Sequence, residues 1–331
     1  MKAAFLCEDP GNILNAYSES LRVEMAEEFE LLPEILTMKG SAEELRALGE
    51  TEVIFSSWGM PCLGEAEIKE KLPKLKAVFY GAGSVQAFAR PYLACGVRIF
   101  SAWAANAVPV AEYTMAQIIL ANKGCFQRMQ RVGDWSNKWP KNPMLGNYGA
   151  DIGIVGAGMI GKLVIKMLQA YRLNVFVFDP FLSEEEAAEL GATKLGSLTE
   201  LFARCQVISN HLANNAETVG MLNAECFNAM KKNGVFINTG RGAQVVETEL
   251  VAAMRAEPER LALLDVTWPE PPEEGSELYT TENIILTPHI AGSLGSEIGR
   301  MGEYMFDEAK RWLRGGETRY EVSEAMLDTM A

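Results

Sequence analysis

Short, unbroken apolar runs alternate with amphipathic stretches through nearly the whole chain. Lys2–Cys7, Val53–Ser57, Leu75–Tyr80 and Val97–Ser101 form a first group of runs. Asp151–Val155, Asn174–Asp179, Val207–Leu212, Val235–Thr239, Leu261–Val266 and Asn283–Thr287 form a second. All are rich in Val, Ile and Phe, as strands buried on both faces of a parallel sheet are. The stretches between them read as helices, and two have capping-box starts, Ser41-Ala-Glu-Glu44 and Ser183-Glu-Glu-Glu186. The strand–helix–strand rhythm predicts α/β units with right-handed crossovers. A longer helical pattern runs from Ala107 to Arg131, with Asn106 as N-cap and Pro109 in the first turn. Residues 132–150 then gather Trp135, Trp139, Pro140, Pro143 and three glycines, which reads either as a packed surface loop or as an arm over a second subunit.

Length adds a domain count: 331 residues is about twice a typical domain, which predicts two. At 48 % hydrophobic and 22 % charged, the chain has the composition of a globular protein with a sizeable core, and only the tail after Tyr320 is expected to be disordered. The 30 basic and 44 acidic residues give a net charge of −14, which argues against nucleic acid or anionic lipid as partner. An anionic ligand must then be held locally, by helix N-termini or a specific arginine. The six cysteines are dispersed without a Cys-x-x-Cys pair, which predicts small buried side chains and neither metal nor disulfides. The run Ala3–Cys7 is too short, and too soon followed by Glu8 and Asp9, for a secretory signal. No stretch approaches the roughly 20 apolar residues of a membrane span, so the expected address is the cytoplasm.

The strongest local signal is Gly156-Ala-Gly158-Met159-Ile160-Gly161 between an apolar run and a helical pattern. Gly156 suits a tight turn, Gly158 close approach of a diphosphate, and Gly161 close helix–strand packing, with the free N–H groups of the helix start facing the phosphates. Asp179 follows Gly161 by 18 residues, near the roughly 20-residue spacing of an acid that grips the adenosine ribose and repels the extra phosphate of NADP. The site therefore reads as one for NAD. Hydride transfer to a carbonyl requires a proton donor, and the chain has two histidines, His211 and His289, both just after predicted strands. Position alone does not choose between them. Arg241, in Asn238-Thr239-Gly240-Arg241-Gly242, is suited to a substrate carboxylate. Glu270 lies between prolines that restrict its backbone.

Together, the Gly156–Gly161 motif, Asp179, Asn238–Gly242, Glu270-Pro271 and Pro288-His289-Ile-Ala-Gly resemble the D-isomer-specific 2-hydroxyacid dehydrogenases, over roughly Val110 to Ala309. Arg241 and Glu270 are 29 residues apart and His289 is 19 further on, similar to that family's catalytic set. The resemblance implies an NAD-dependent oxidoreductase acting on a small D-2-hydroxy acid or its 2-oxo acid. Arg241 would bind and polarise the substrate, and His289, paired with Glu270, would be the general acid/base. It implies that His211, Thr218, Thr239, Gly240 and Asp265 line the cofactor pocket, and that the Ala82-Gly83-Ser84 loop holds the substrate carboxylate. The implied fold is two doubly wound parallel-sheet domains: a discontinuous, flavodoxin-like substrate domain of 1–103 and 295–331, and a Rossmann NAD domain of 104–294. A dimerisation arm at about 120–150 and an active site in the cleft between the domains go with it. Trp58, Met60 and Trp268 are candidates for the side-chain pocket. Two features depart from the family: Ala213 stands where proline often follows His211, and Gly81–Gln86 lacks the usual aspartate. The glutamine of the related formate dehydrogenases is Glu270 here, which disfavours formate. The alternative is an NAD-sensing binding protein on the same fold, which the charge and the absence of a basic tail disfavour.

Overall fold

β1 (Lys2–Leu6), β2 (Glu30–Leu36), β3 (Val53–Ser56), β4 (Ala77–Tyr80) and β5 (Arg98–Ser101) pair in parallel in the order 2-1-3-4-5. The two-residue strand Glu321–Val322 closes the β5 edge antiparallel. In register across three neighbouring strands, Phe55, Phe79 and Phe100 stack with ring centroids 5.4 and 4.6 Å apart. Such offset aromatic pairs contribute about 0.5–1.5 kcal/mol each beyond their buried area. This sheet belongs to a unit made of Met1–Ala107 and the described residues from Ser293 to Asp328. The computed structural model describes residues 1–129 and 146–328, so Trp135, Trp139 and the centre of the predicted arm lie outside the described residues.

Two elements of this unit differ from the sequence reading. β2 is absent from the apolar runs because Glu30, Pro33 and Glu34 interrupt it. As the edge strand it tolerates Pro33, and its register on β1 slips between Ala3 and Phe5, opposite that proline. The tail after Tyr320 is ordered through Asp328: Val322 and Leu327 are 1 % and 3 % exposed, and Gln86 Nε2 donates to Leu327 O at 2.6 Å. Two buried apolar side chains are enough to anchor so short a segment.

The second unit, Val108–Gly292, holds β6 (Tyr148–Val155), β7 (Arg172–Phe178), β8 (Thr193–Lys194), β9 (Val207–Asn210), β10 (Val235–Asn238), β11 (Leu261–Leu264) and β12 (Ile284–Leu286). All seven are parallel, in the order 12-11-10-9-6-7-8. From β6 the chain runs outward to one edge through β7 and β8, then returns to β9 and runs to the other. The order therefore reverses between β6 and β9, where open α/β sheets place their ligands, beyond the carboxyl ends of the strands.

The long helix begins earlier than its pattern suggests, spanning Trp103–Asn122, and a separate short helix, Cys125–Met129, follows a break at Gly124 with φ 62°. Asn106 is inside it, and its side-chain oxygen accepts from Ser293 N at 2.9 Å instead of capping. Pro109 is likewise interior and has no N–H for Ala105 O, four residues back; the Arg300 guanidinium reaches that carbonyl at 3.4 Å.

Candidate active site

The loop after β6 is built for close approach. Gly156 has φ +87°, and a Cβ there would fall 2.8 Å from His211 O; one at Gly161 would fall 2.0 Å from Gly156 O. Only glycine lets the helix Met159–Leu168 start this near the strand it follows. Gly158, at its N-cap, makes no side-chain cap bond, and nothing lies within 4 Å of where its Cβ would be. The helix thus starts without a side-chain cap and with room beside Gly158, a fit for a dinucleotide's diphosphate. Asp179 follows β7 and folds back over this loop: Oδ2 accepts from Ala157 N at 2.7 Å and Oδ1 from Phe181 N at 2.8 Å. A carboxylate has about four acceptor positions, so both oxygens keep capacity for ribose hydroxyls. The residues present fit NAD.

The two histidines have opposite surroundings. His211, after β9, is 8 % exposed, with Nε2 2.9 Å from Ser209 Oγ and Nδ1 buried without a partner. Burial lowers its pKa to about 3, so the ring is neutral at any working pH. The side chain of His289, after β12, is 47 % exposed, and its Nδ1 is 2.7 Å from Glu270 Oε1. Of the non-glycine residues described, only His289 has positive φ, 54°. Its N–H is shared between Asp265 O and Thr287 O, both at 3.0 Å.

Asp265, 3 % exposed, holds that conformation from below: Ile290 N and Ala291 N each donate to its carboxylate at 2.9 Å and Thr287 Oγ1 at 2.5 Å. Tyr113 OH continues the chain 3.3 Å from Thr287 Oγ1. Here Asp265 supports the His289 loop with both oxygens engaged.

Arg241 follows β10. Its Nη1 donates to Gly240 O at 2.8 Å, burial pulls its pKa below the usual arginine value, and the charge of Glu270 opposes that shift. The Arg241 side chain is half-buried, and the charge of Glu270 reaches it. Gln244, fully buried, fixes this turn by accepting from Arg241 N at 3.2 Å and donating to Leu212 O and Ala213 O at 2.8 Å each. Thr239 Oγ1 is 3.0 Å from Thr114 Oγ1, Gly240 N donates to Asn238 Oδ1 at 3.1 Å, and Thr218 Oγ1 donates to Ala213 O at 2.6 Å. The structure thus brings Arg241, Glu270 and His289 to one end of one sheet, on the same side as the glycine loop.

Ala82, Gly83 and Ser84 belong to the other unit, after β4, where Ser101 Oγ donates to Ala82 O at 3.0 Å. Of the pocket candidates, Met60 is 6 % exposed within the core around Tyr80 and Val85, whereas Trp58 and Trp268 are 38 % and 67 % exposed. Gln244, Tyr113 and Glu247, which accepts from Trp268 N, carry no sequence signal of their own, because Leu212, Thr287 and Trp268, which they hold, lie 32, 174 and 21 residues away. Among the described residues there is no cluster of three or more metal-ligating side chains, and no helix is long and apolar enough to cross a membrane.

Residues 115–291 match the family model described as the D-isomer specific 2-hydroxyacid dehydrogenase NAD binding domain. The D-3-phosphoglycerate dehydrogenase of Methanocaldococcus jannaschii is 30 % identical over 252 residues, 75 % of this chain and 48 % of that protein. The (S)-sulfolactate dehydrogenase of Chromohalobacter salexigens is 29 % identical over 252 residues, 75 % of this chain and 81 % of that one. The apo D-mandelate dehydrogenase of Rhodotorula graminis superposes with a TM-score of 0.79 at 21 % identity, covering 98 % of each chain, a likeness of fold. The chain spans about half the length of the phosphoglycerate dehydrogenases it matches. With its glycine loop, acidic strand end and parallel sheet, the chain belongs to the D-isomer specific 2-hydroxyacid dehydrogenase family, whose NAD-binding domain it carries.

Proposed function

We propose that the protein is an NAD-dependent oxidoreductase that interconverts a small D-2-hydroxy acid and its 2-oxo acid. One observation carries the reading: an imidazole held by a carboxylate at 2.7 Å, at the same sheet end as the half-buried Arg241. When bound, NADH supplies the hydride to the carbonyl carbon. The chain's own residues do the rest. Arg241 pairs with the substrate carboxylate and polarises the neighbouring carbonyl. Glu270 engages Nδ1 of His289, so Nε2 is the nitrogen left to give a proton to the carbonyl oxygen in reduction and to take one in oxidation. His211, neutral and buried, walls the cofactor pocket. Asp179 selects NAD by repelling a 2′-phosphate.

Glyoxylate, pyruvate, hydroxypyruvate and larger 2-oxo acids are the substrate class, and a homodimer in the cytoplasm is the proposed setting. Loss of nicotinamide absorbance on mixing protein, NADH and a panel of 2-oxo acids tests the reading. The panel includes the oxo acids that correspond to phosphoglycerate, sulfolactate and mandelate. Consumption with at least one member is expected. NADH binding without consumption of any would replace the reading with an NAD sensor.

A further inference from the structure

Glu270 has to aim a carboxylate at His289 from a segment with little to hold it. In Trp268-Pro-Glu-Pro-Pro272, three of five residues lack a backbone N–H, so Trp268 and Glu270 alone have one to offer. The Trp268 N–H goes to a side chain: Glu247 Oε1 accepts it at 2.7 Å. Glu247 is the first residue of the helix Glu247–Ala256, five residues past the Arg241–Gly242 turn, and it is half-buried. Desolvation raises its pKa and the Trp268 N–H pulls the other way, as expected of an acid buried against a single donor.

A second contact binds the same two segments. A Cβ on Gly242 would fall 1.9 Å from Thr267 C and 2.1 Å from Thr267 O, so the backbone beside Arg241 packs directly on the peptide that leads into Trp268. Thr267 Oγ1 then donates to Pro269 O at 2.9 Å, stiffening the turn toward Glu270. The indole itself is 67 % exposed, so the peptide is what Glu247 holds.

From this juxtaposition we infer that Glu247 is a positioning residue: through the Trp268 peptide it sets the aim of Glu270 at His289 and ties that pair to the Arg241 turn. The inference rests on the proposed reaction for its kinetic consequence only. A competing role exists for any acid in a helix's first turn, which is to complement the positive end of the helix dipole. The two roles make opposite demands. Holding Trp268 N needs an acceptor oxygen at the right reach but no charge; complementing the dipole needs charge but tolerates a shorter side chain.

The test is therefore a set of variants. Glu247→Gln keeps the oxygen and reach, Glu247→Asp keeps the charge but withdraws the oxygen by one methylene, and Glu247→Ala removes both. In wild-type background, kcat for 2-oxo acid reduction should stay within about 2-fold for Glu247→Gln and fall about 10-fold for Glu247→Asp and Glu247→Ala, the loss of one positioning hydrogen bond. KM for NADH should hold. In a Glu270→Gln background Glu247→Ala should add less than about 2-fold, since the group it positions is already disabled.

A readout independent of turnover comes from the ring signals of the chain's two histidines. By NMR, His289 ring shifts should move toward their Glu270→Gln positions in Glu247→Asp and stay at wild-type positions in Glu247→Gln. Glu247→Asp behaving as wild type while Glu247→Gln is impaired would overturn the inference in favour of the helix dipole. Equal losses with and without Glu270, or unmoved His289 signals in Glu247→Asp, would also overturn it. If wild type turns over no 2-oxo acid, the reaction reading fails and the NMR arm still decides the role of Glu247.

Discussion

His211→Asn should remove a defined part of the protein's acid sensitivity. The ring of His211 is buried and neutral, with its pKa at about 3 against an ordinary 6.5. Between those two values the unfolded chain binds a proton at this position and the folded chain does not, so stability is complete above the unfolded value and is lost as pH falls toward 3. Each pH unit in that window costs about 1.36 kcal/mol. At pH 4.5, about two units into it, the penalty is about 2.7 kcal/mol; at pH 7.5 it is close to zero. Carboxylates titrate in the same range but do so in both proteins, so the comparison of wild type with variant cancels them. Urea unfolding followed by far-UV circular dichroism at the two pH values should show wild type losing about 2.5 kcal/mol more than His211→Asn. Equal losses, within about 0.5 kcal/mol, would mean that His211 is protonated in the fold. The reasoning that leaves His289 alone as the proton carrier would then fail.

His289→Ala should lower kcat by about 10²–10⁴-fold, the usual effect of removing a general acid, with NADH affinity by fluorescence titration unchanged. Arg241→Ala should lower kcat/KM by about 10²–10⁴-fold, from two charged hydrogen bonds at about 1.5–3 kcal/mol each, with kcat and KM both affected. Gly161→Ala places a Cβ 2.0 Å from Gly156 O, so the helix start must retreat; NADH affinity should fall at least about 10-fold while His289 ring signals stay in place. Asp179→Ala should narrow the preference for NADH over NADPH, read as the ratio of the two kcat/KM values.

Much of the fold is legible in the chain because its signals are local. Buried parallel strands need apolar runs on both faces, and the runs at 53–57, 207–212 and 235–239 contain β3, β9 and β10. The capping boxes at Ser41 and Ser183 each involve residues three apart, and both form. Two edge strands escape the same reading: β2 is half-exposed and carries Pro33, and β8 is two residues long. The helix start at Trp103 is also hidden, since Asn106 resembles a cap and its true partner, Ser293, is 187 residues away. The site divides in the same way. Glycines with fixed spacing and an acid at a strand end announce a dinucleotide. Gln244, Tyr113, Thr287 and Glu247 do not announce themselves, because what they hold in place lies up to 174 residues away. The resemblance places Asp265 in the cofactor pocket; its hydrogen bonds lead to the His289 loop, which only coordinates can reveal.

In the proposed reaction Arg241 and His289 share one small acid between them. A crystal structure with NADH and oxamate, a two-carbon 2-oxo acid amide, tests it most directly. The carboxylate of oxamate should pair with the Arg241 guanidinium, with its carbonyl oxygen about 2.6–3.2 Å from His289 Nε2 and Glu270 still on Nδ1. Oxamate bound away from either side chain, or His289 turned so that Nε2 faces Glu270, would contradict it.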